Sequence, residues 1–201
     1  MSINGISGSG QQSASVQAPQ SKSKWTTRQL VTLSLMCALA ILLSFIEFPI
    51  FPAASFLKLD ASFVPSTVMA LSYGTPSGIM CAVACAVAHG IITGNWVGAL
   101  MNIIASVVFI LPAALIYSRM KSIKGMVIGF IVATVCLIVG ASIANLIIDP
   151  IFYGMPFEAV SALIVPAIAP FNLIKGVVLS VLSILIYKSI KGILLQETSN
   201  A

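Results

Sequence analysis

The chain has 201 residues, of which 59% are hydrophobic and only 7% charged, with ten Lys and Arg against five Asp and Glu. A soluble domain carries about 25% charged residues, so a water-facing surface cannot be built here, and a soluble enzyme, a nucleic-acid binder and a disordered protein are excluded. What remains is an integral membrane protein with room for roughly six or seven spans of about 20 residues and none for a soluble ATPase domain, so that any uphill transport must draw on a gradient or a separate partner.

Residues 1–24 are rich in Ser, Gln and Gly and lack the apolar run of about 7–15 residues that a signal peptide needs. The expectation is a disordered, polar cytoplasmic tail over residues 1–26. A first uncharged stretch follows at 29–46, behind the basic cluster Lys22, Lys24 and Arg28. Residues 61–118 then contain no Asp, Glu, Lys or Arg. Two turn signals, Ser72-Tyr73-Gly74-Thr75-Pro76-Ser77-Gly78 and Thr93-Gly94-Asn95-Trp96, divide them into helices near 61–72, 77–92 and 97–118. The first of these is too short to cross a core of about 30 Å alone; such a helix is tolerated where it lines a cavity or packs inside protein. Uncharged runs at 125–148 and at 159–187, the latter broken only by Lys175, complete the set.

Charge placement tests the count. Lys22/Lys24/Arg28, Arg119/Lys121/Lys124 and Lys188/Lys191 hold most of the basic residues, and the positive-inside rule puts all three clusters in the cytoplasm. Each interval between them then holds an even number of spans, four and two. The expected fold is an all-α integral membrane protein, a six-transmembrane-helix bundle over 27–190 with both termini cytoplasmic and a short tail at 191–201. Glu47, Asp60, Asp149 and Glu158 fall in two external loops, near 47–60 and 149–165.

Small residues recur every fourth position at Gly78, Ala82, Ala86 and Gly90, at Gly125 and Gly129, and at Ser34 and Ala38. Such faces let helix backbones approach closely in lipid; most pack the bundle, and Ser34/Ala38 on the first helix is the candidate for docking a partner. Cys37, Cys81, Cys85 and Cys136 lie in apolar stretches and read as small buried hydrophobes. With one His in the chain, no zinc ligand set can be assembled, and no cofactor is expected.

Lys175 is the one charged residue inside a span. At that depth a Lys usually faces a cavity or a partner. Asn172 lies three residues earlier on the same face, and together they suit a polar planar edge of carbonyls and ring nitrogens, with Phe171 as an aromatic wall. Pro166 and Pro170 loosen the helix start, so that its first amides are also candidates for the site. A second reading pairs Lys175 with Asp149 or Asp60. Asn102, Asn145 and His89 are the other polar residues deep in spans, each an interhelical hydrogen-bond partner or a ligand contact. The apolar, proline-rich stretch from Phe48 to Asp60, with Phe51 and Phe56, reads as a lid over a cavity or as an interfacial anchor.

Three stretches then carry a resemblance: Glu47-Phe48-Pro49 with Phe56-Leu57-Lys58-Leu59-Asp60; Leu111-Pro112-Ala113-Ala114-Leu115-Ile116-Tyr117; and Pro170-Phe171-Asn172-Leu173-Ile174-Lys175-Gly176. Over about residues 27–190 the chain resembles the substrate-binding S component of energy-coupling factor transporters, especially the riboflavin type. The resemblance implies that Asn172 and Lys175 contact the polar edge of an isoalloxazine and that Lys58, Asp60, His89 and Asn102 belong to the same site. It also implies that Ser34-Leu35-Met36-Cys37-Ala38 stands for an Ala-x-x-x-Ala motif that docks the transmembrane coupling protein. The implied mechanism is capture of riboflavin from outside a bacterial plasma membrane, association with that coupling protein and two ATPase subunits, and release inside, with no catalytic residue in this chain. Polar residues of the family pattern are missing near Phe63, ahead of His89 and near Ala99, so contacts to the ribityl chain are expected to differ. Alternatives are an S component for another vitamin such as pantothenate and a gradient-driven secondary carrier. Protease motifs for a membrane enzyme are absent.

Overall fold

The computed structural model describes residues 25–50 and 57–199, of 191–199 the backbone alone. The tail over 1–24 and the segment 51–56, with Phe51 and Phe56 of the expected lid, lie outside the described residues. The described chain is helical, apart from one small ribbon. Helix α1 (Thr27–Ser44) opens on a capping box: Gln29 N–H donates to Thr26 Oγ1, and Thr26 N–H to the Gln29 side chain. Strands β1 (Phe48–Pro49) and β2 (Lys58–Leu59) pair antiparallel, with Phe48 opposite Leu59 and Pro49 opposite Lys58. Six further helices and a π segment follow: α2 (Phe63–Tyr73), α3 (Thr75–Thr93), α4 (Trp96–Met120), α5 (Ile123–Tyr153) and α6 (Phe157–Leu163), which runs through a π turn at Ile164–Ile168 into α7 (Ala169–Ser199).

Among the described residues, five helical units are long and apolar enough to cross a membrane: α1, α3, α4, α5 and the continuous unit Phe157–Ile190. Helix α2 is different. Its 11 residues span about 17 Å, and Phe63 to Leu71 are all buried. It packs among α1, α3, α4 and α7, an interior position that satisfies a helix too short to reach both membrane faces. The turn after it is made by Gly74 at φ 100°. The small-residue face of α3 is what admits α2. A Cβ at Gly78 would lie 2.4 Å from Ala70 Cβ and 2.6 Å from the Ser66 carbonyl, so the two backbones meet where side chains are smallest.

Two expected boundaries move. The loop expected at 149–165 shrinks to residues 154–156, because α5 runs on to Tyr153 with Pro150 in its last turns and α6 starts at Phe157. The prolines Pro166 and Pro170 do not start a helix: Pro166 lies inside the π turn and Pro170 just after it. Proline removes one N–H and clashes with the carbonyl four residues back, and the wider turn absorbs the misfit, with Ala169 N–H donating to the Ile164 carbonyl. The amides there are spent within the helix, so the expectation that they face the site is corrected.

The outside of the bundle is apolar. On α5, Ile131, Val135, Val139, Ile143, Ile147 and Ile151 form an exposed stripe every fourth residue, opposite a buried stripe that includes Phe130, Leu137 and Ala141. A helix apolar on both faces, one packed and one exposed, belongs in lipid. The chain is a multi-pass membrane protein.

Candidate functional site

Alternating helix directions bring the C-terminal end of α3, the start of α4, the last turns of α5, the start of α7 and the β1–β2 ribbon to one end of the bundle. A cavity of about 130 Å³ lies there, lined by residues from all of them. Arg28, Arg119, Lys121, Lys124 and Lys188 sit at the opposite helix ends. The cavity therefore opens where the acids gather, at the end away from the basic clusters.

Lys175 is 4% exposed and lines the cavity. Its Nζ is 3.5 Å from Asp60 Oδ2 and 4.4 Å from the centre of the Phe63 ring, with Phe171 at 6.0 Å on another side. Lys175 is thus paired with Asp60, one of the two acids named for it in the sequence, and both residues line the cavity. Asp60 is held in turn by Ser62, whose backbone N–H donates to Oδ1 at 2.9 Å and whose hydroxyl donates to the same oxygen. Desolvating two charges is expensive, and the pair is tolerated because hydrogen bonds and a π face satisfy what remains. An ammonium has three N–H donors, so one contact with Asp60 leaves capacity for a ligand.

Asn172, also buried against the cavity, donates Nδ2 to the Ile168 carbonyl at 2.8 Å. That carbonyl belongs to the last residue of the π turn, and the bond fixes the amide and leaves Oδ1 as an acceptor. Asn172 and Lys175 present one acceptor and one donor set a turn apart, the arrangement expected for a planar polar edge.

His89 closes a second group. Its Nδ1 lies 2.9 Å from Ser44 Oγ and its Nε2 3.4 Å from Glu47 Oε1, and its ring stacks on Phe45 with centroids 5.2 Å apart. Glu47 also pairs with Lys58 on β2. His89 and Lys58 line the cavity, and Asn102 on α4 joins them. All seven expected binding residues, Lys58, Asp60, His89, Asn102, Phe171, Asn172 and Lys175, therefore line one cavity. Ser34 and Ala38 are remote from it, exposed together on α1, where Ser34 Oγ donates to the Leu30 carbonyl at 2.9 Å.

The structure corrects the reading of the acids. Asp60 lies in the connection between β2 and α2 as expected, but it and Asp149 do not face water: they are 5% and 2% exposed and both line the cavity. Asp149 sits inside α5, one turn past Asn145, which also lines the cavity. Sequence reasoning treated Asp149 as the end of a span because a charge was used to end it. The signal that finds it is the i, i+4 spacing of Asn145 and Asp149 in an otherwise apolar run. Among the described residues, no group of three or more His, Cys, Asp and Glu is placed to hold a metal ion. Cys37, Cys81, Cys85 and Cys136 are free thiols.

Residues 28–187 match the family model of the ECF transporter substrate-specific component. The riboflavin transporter RibU of Staphylococcus aureus is 34% identical over 174 residues, 83% of this chain and 92% of that protein. The riboflavin transporter FmnP of Bacillus subtilis is 31% identical over 183 residues, 86% of this chain and 96% of that one. A solved structure of the S component of a bacterial ECF transporter superposes with a TM-score of 0.75 at 35% identity, covering 83% of this chain and 97% of its own.

Proposed function

We propose, for a chain that belongs to the ECF transporter substrate-specific component family, that it captures riboflavin on the outer side of a bacterial plasma membrane and delivers it inward. A member of this family is a transport component and not an enzyme. The observation that carries the substrate assignment is the buried Lys175, retained beside Asn172 on the wall of the cavity. The polar edge of the isoalloxazine presents carbonyl oxygens and ring nitrogens. Lys175 donates to the acceptors, Asn172 Oδ1 accepts the ring N–H, and Phe171 covers the ring. Asp60 fixes the ammonium, and Lys58, His89 and Asn102 complete the walls.

Six crossings are proposed, with α2 as the short sixth, and both termini in the cytoplasm. This is supported by the basic residues at the helix ends away from the cavity and by the positive-inside rule. The membrane body spans 27–190, flanked by polar tails. The family is a component of ECF transporters, and the proposed partners are a transmembrane coupling protein and two ATPase subunits. The exposed small residues Ser34 and Ala38 on α1 supply the docking face.

The test uses the full chain in mild detergent. Titrated riboflavin is expected to lose its fluorescence on binding, with a dissociation constant in the nanomolar to micromolar range. Unquenched emission up to about 10 µM protein would remove riboflavin as the substrate.

A further inference from the structure

Two buried acceptor oxygens on residues that line the cavity have no donor among the described residues. Asn145 and Asp149 are each 2% exposed. They stand four residues apart on α5, and both line the cavity. Asn145 gives its Nδ2 to the Ala141 carbonyl at 2.7 Å. Its Oδ1, like Asp149 Oδ2, is fully buried and has no hydrogen-bond partner among the described residues. The cavity's other buried acid is served by Lys175 and Ser62. Asp149 Oδ2 has no such donor among the described residues. A buried carboxylate oxygen without a donor is destabilising, more so in a membrane interior where water does not compensate. Packing does not require an acid at this position, since an apolar residue of similar volume would fill it without that cost.

We infer that Asp149, with Asn145 beside it, is a specificity-determining subsite that receives the hydroxyl groups of the ligand's side chain and rejects a phosphorylated one. The inference rests on the flavin reading. There the ring edge is taken by Asn172 and Lys175, and the remaining hydrogen-bond donors of the ligand are the hydroxyls of its ribityl chain. A hydroxyl donating to a carboxylate makes a charge-assisted bond and satisfies the orphaned oxygen. A 5′-phosphate ends the same chain in acceptor oxygens and negative charge. It leaves Asp149 unpaired and sets like charges together in a low-dielectric space. Discrimination then comes from the unpaired and repelled group as much as from the bond formed.

The test measures quenching of three ligands by the full chain in detergent: riboflavin, riboflavin 5′-phosphate, and lumiflavin, which carries a methyl group in place of the ribityl chain. The wild type is expected to prefer riboflavin to its phosphate by at least thirtyfold. Asp149→Asn keeps the shape and removes the charge, and should shrink that preference at least tenfold. Asp149→Leu should weaken riboflavin tenfold or more while lumiflavin binds as in the wild type, which also reports that the variant is folded. Should Asp149→Leu not fold, the near-isosteric Asn variant carries the test alone. A wild type that does not discriminate, or a preference within threefold of wild type in the folded variants, overturns the subsite and leaves the flavin reading standing. A wild type that quenches none of the three overturns the flavin reading and the subsite with it.

Discussion

The two ends of the bundle are built on opposite terms. Away from the cavity, α4, α5 and α7 close on Phe109, Phe130, Leu137, Leu179 and Tyr187, all at or near zero exposure. Phe109 and Phe130 lie 5.8 Å apart between ring centroids. The one buried polar contact between aromatic rings there, Tyr117 Oη to Tyr187 Oη at 3.0 Å, is satisfied on both sides. At the cavity end, Asp60, Asp149, Asn145, Asn172 and Lys175 are as deeply buried, yet among the described residues an amide oxygen and a carboxylate oxygen there have no donor, against a single hydroxyl, Ser183 Oγ, at the packed end. Interior packing holds the helices in register at one end, and that rigidity lets the other end keep poorly served polar groups around the cavity. Local instability collects at a binding site when the scaffold over-determines it.

The sharpest way to break this contrast is at Lys175. Lys175→Ala leaves Asp60 buried and unpaired, which costs about 3–5 kcal/mol, and removes the donor set for the ring edge. Riboflavin binding should fall by at least a hundredfold, and the thermal midpoint in detergent should drop. The double variant Lys175→Met/Asp60→Leu removes both charges, and its midpoint should recover while its binding does not. If binding returned with stability, the ammonium would be structural and the site would lie elsewhere.

Leu137→Ala probes the opposite end. Leu137 is fully buried, and truncating such a residue leaves a cavity worth about 2–5 kcal/mol. The low end applies here, since helices that separate within lipid or detergent regain no water-transfer energy. The midpoint should fall, with riboflavin affinity per folded molecule within twofold of wild type. A large affinity loss would mean that the two ends are not mechanically separate.

How far each end was legible follows from the same contrast. The packed end is written in uncharged runs and in small residues at four-residue spacing, and α3 to α5 appear within a few residues of where those runs place them. The site was legible where one residue type is improbable for its surroundings: a Lys in a span, with an Asn one turn before it. Asp149 was misplaced because a charge can end a helix or sit inside one, and composition does not separate the two. In the structure the helix runs past it to Tyr153. The π turn was half visible, since Pro166 and Pro170 announce a distortion but not that the chain stays helical through it. The ion pair of Asp60 with Lys175 joins residues more than a hundred positions apart, a relation no local pattern encodes.

The smallest effect is expected at the rim of the cavity, where the two regimes meet water. Glu47 joins two elements: it pairs with Lys58 on β2 and lies 3.4 Å from His89 Nε2 on α3. The ribbon it anchors has only two residues per strand, and a hairpin that short has little stability of its own. Glu47→Gln keeps the shape and the hydrogen-bonding oxygen but removes the charge. The Lys58 side chain is 46% exposed, and an exposed pair of this kind is worth about 0–1 kcal/mol. The expected consequence is a rise of about two- to fivefold in the riboflavin dissociation rate, read by stopped-flow recovery of flavin fluorescence in a chase, with the thermal midpoint nearly unchanged. Salt supplies the control. Raising ionic strength from about 0.01 to 1 M shortens the screening length from about 30 to 3 Å, so wild-type dissociation should accelerate toward that of the variant, while the variant itself responds little. Equal rates at low salt would show that the ribbon is held by its apolar contacts and that the charges at the rim do not control exit from the cavity.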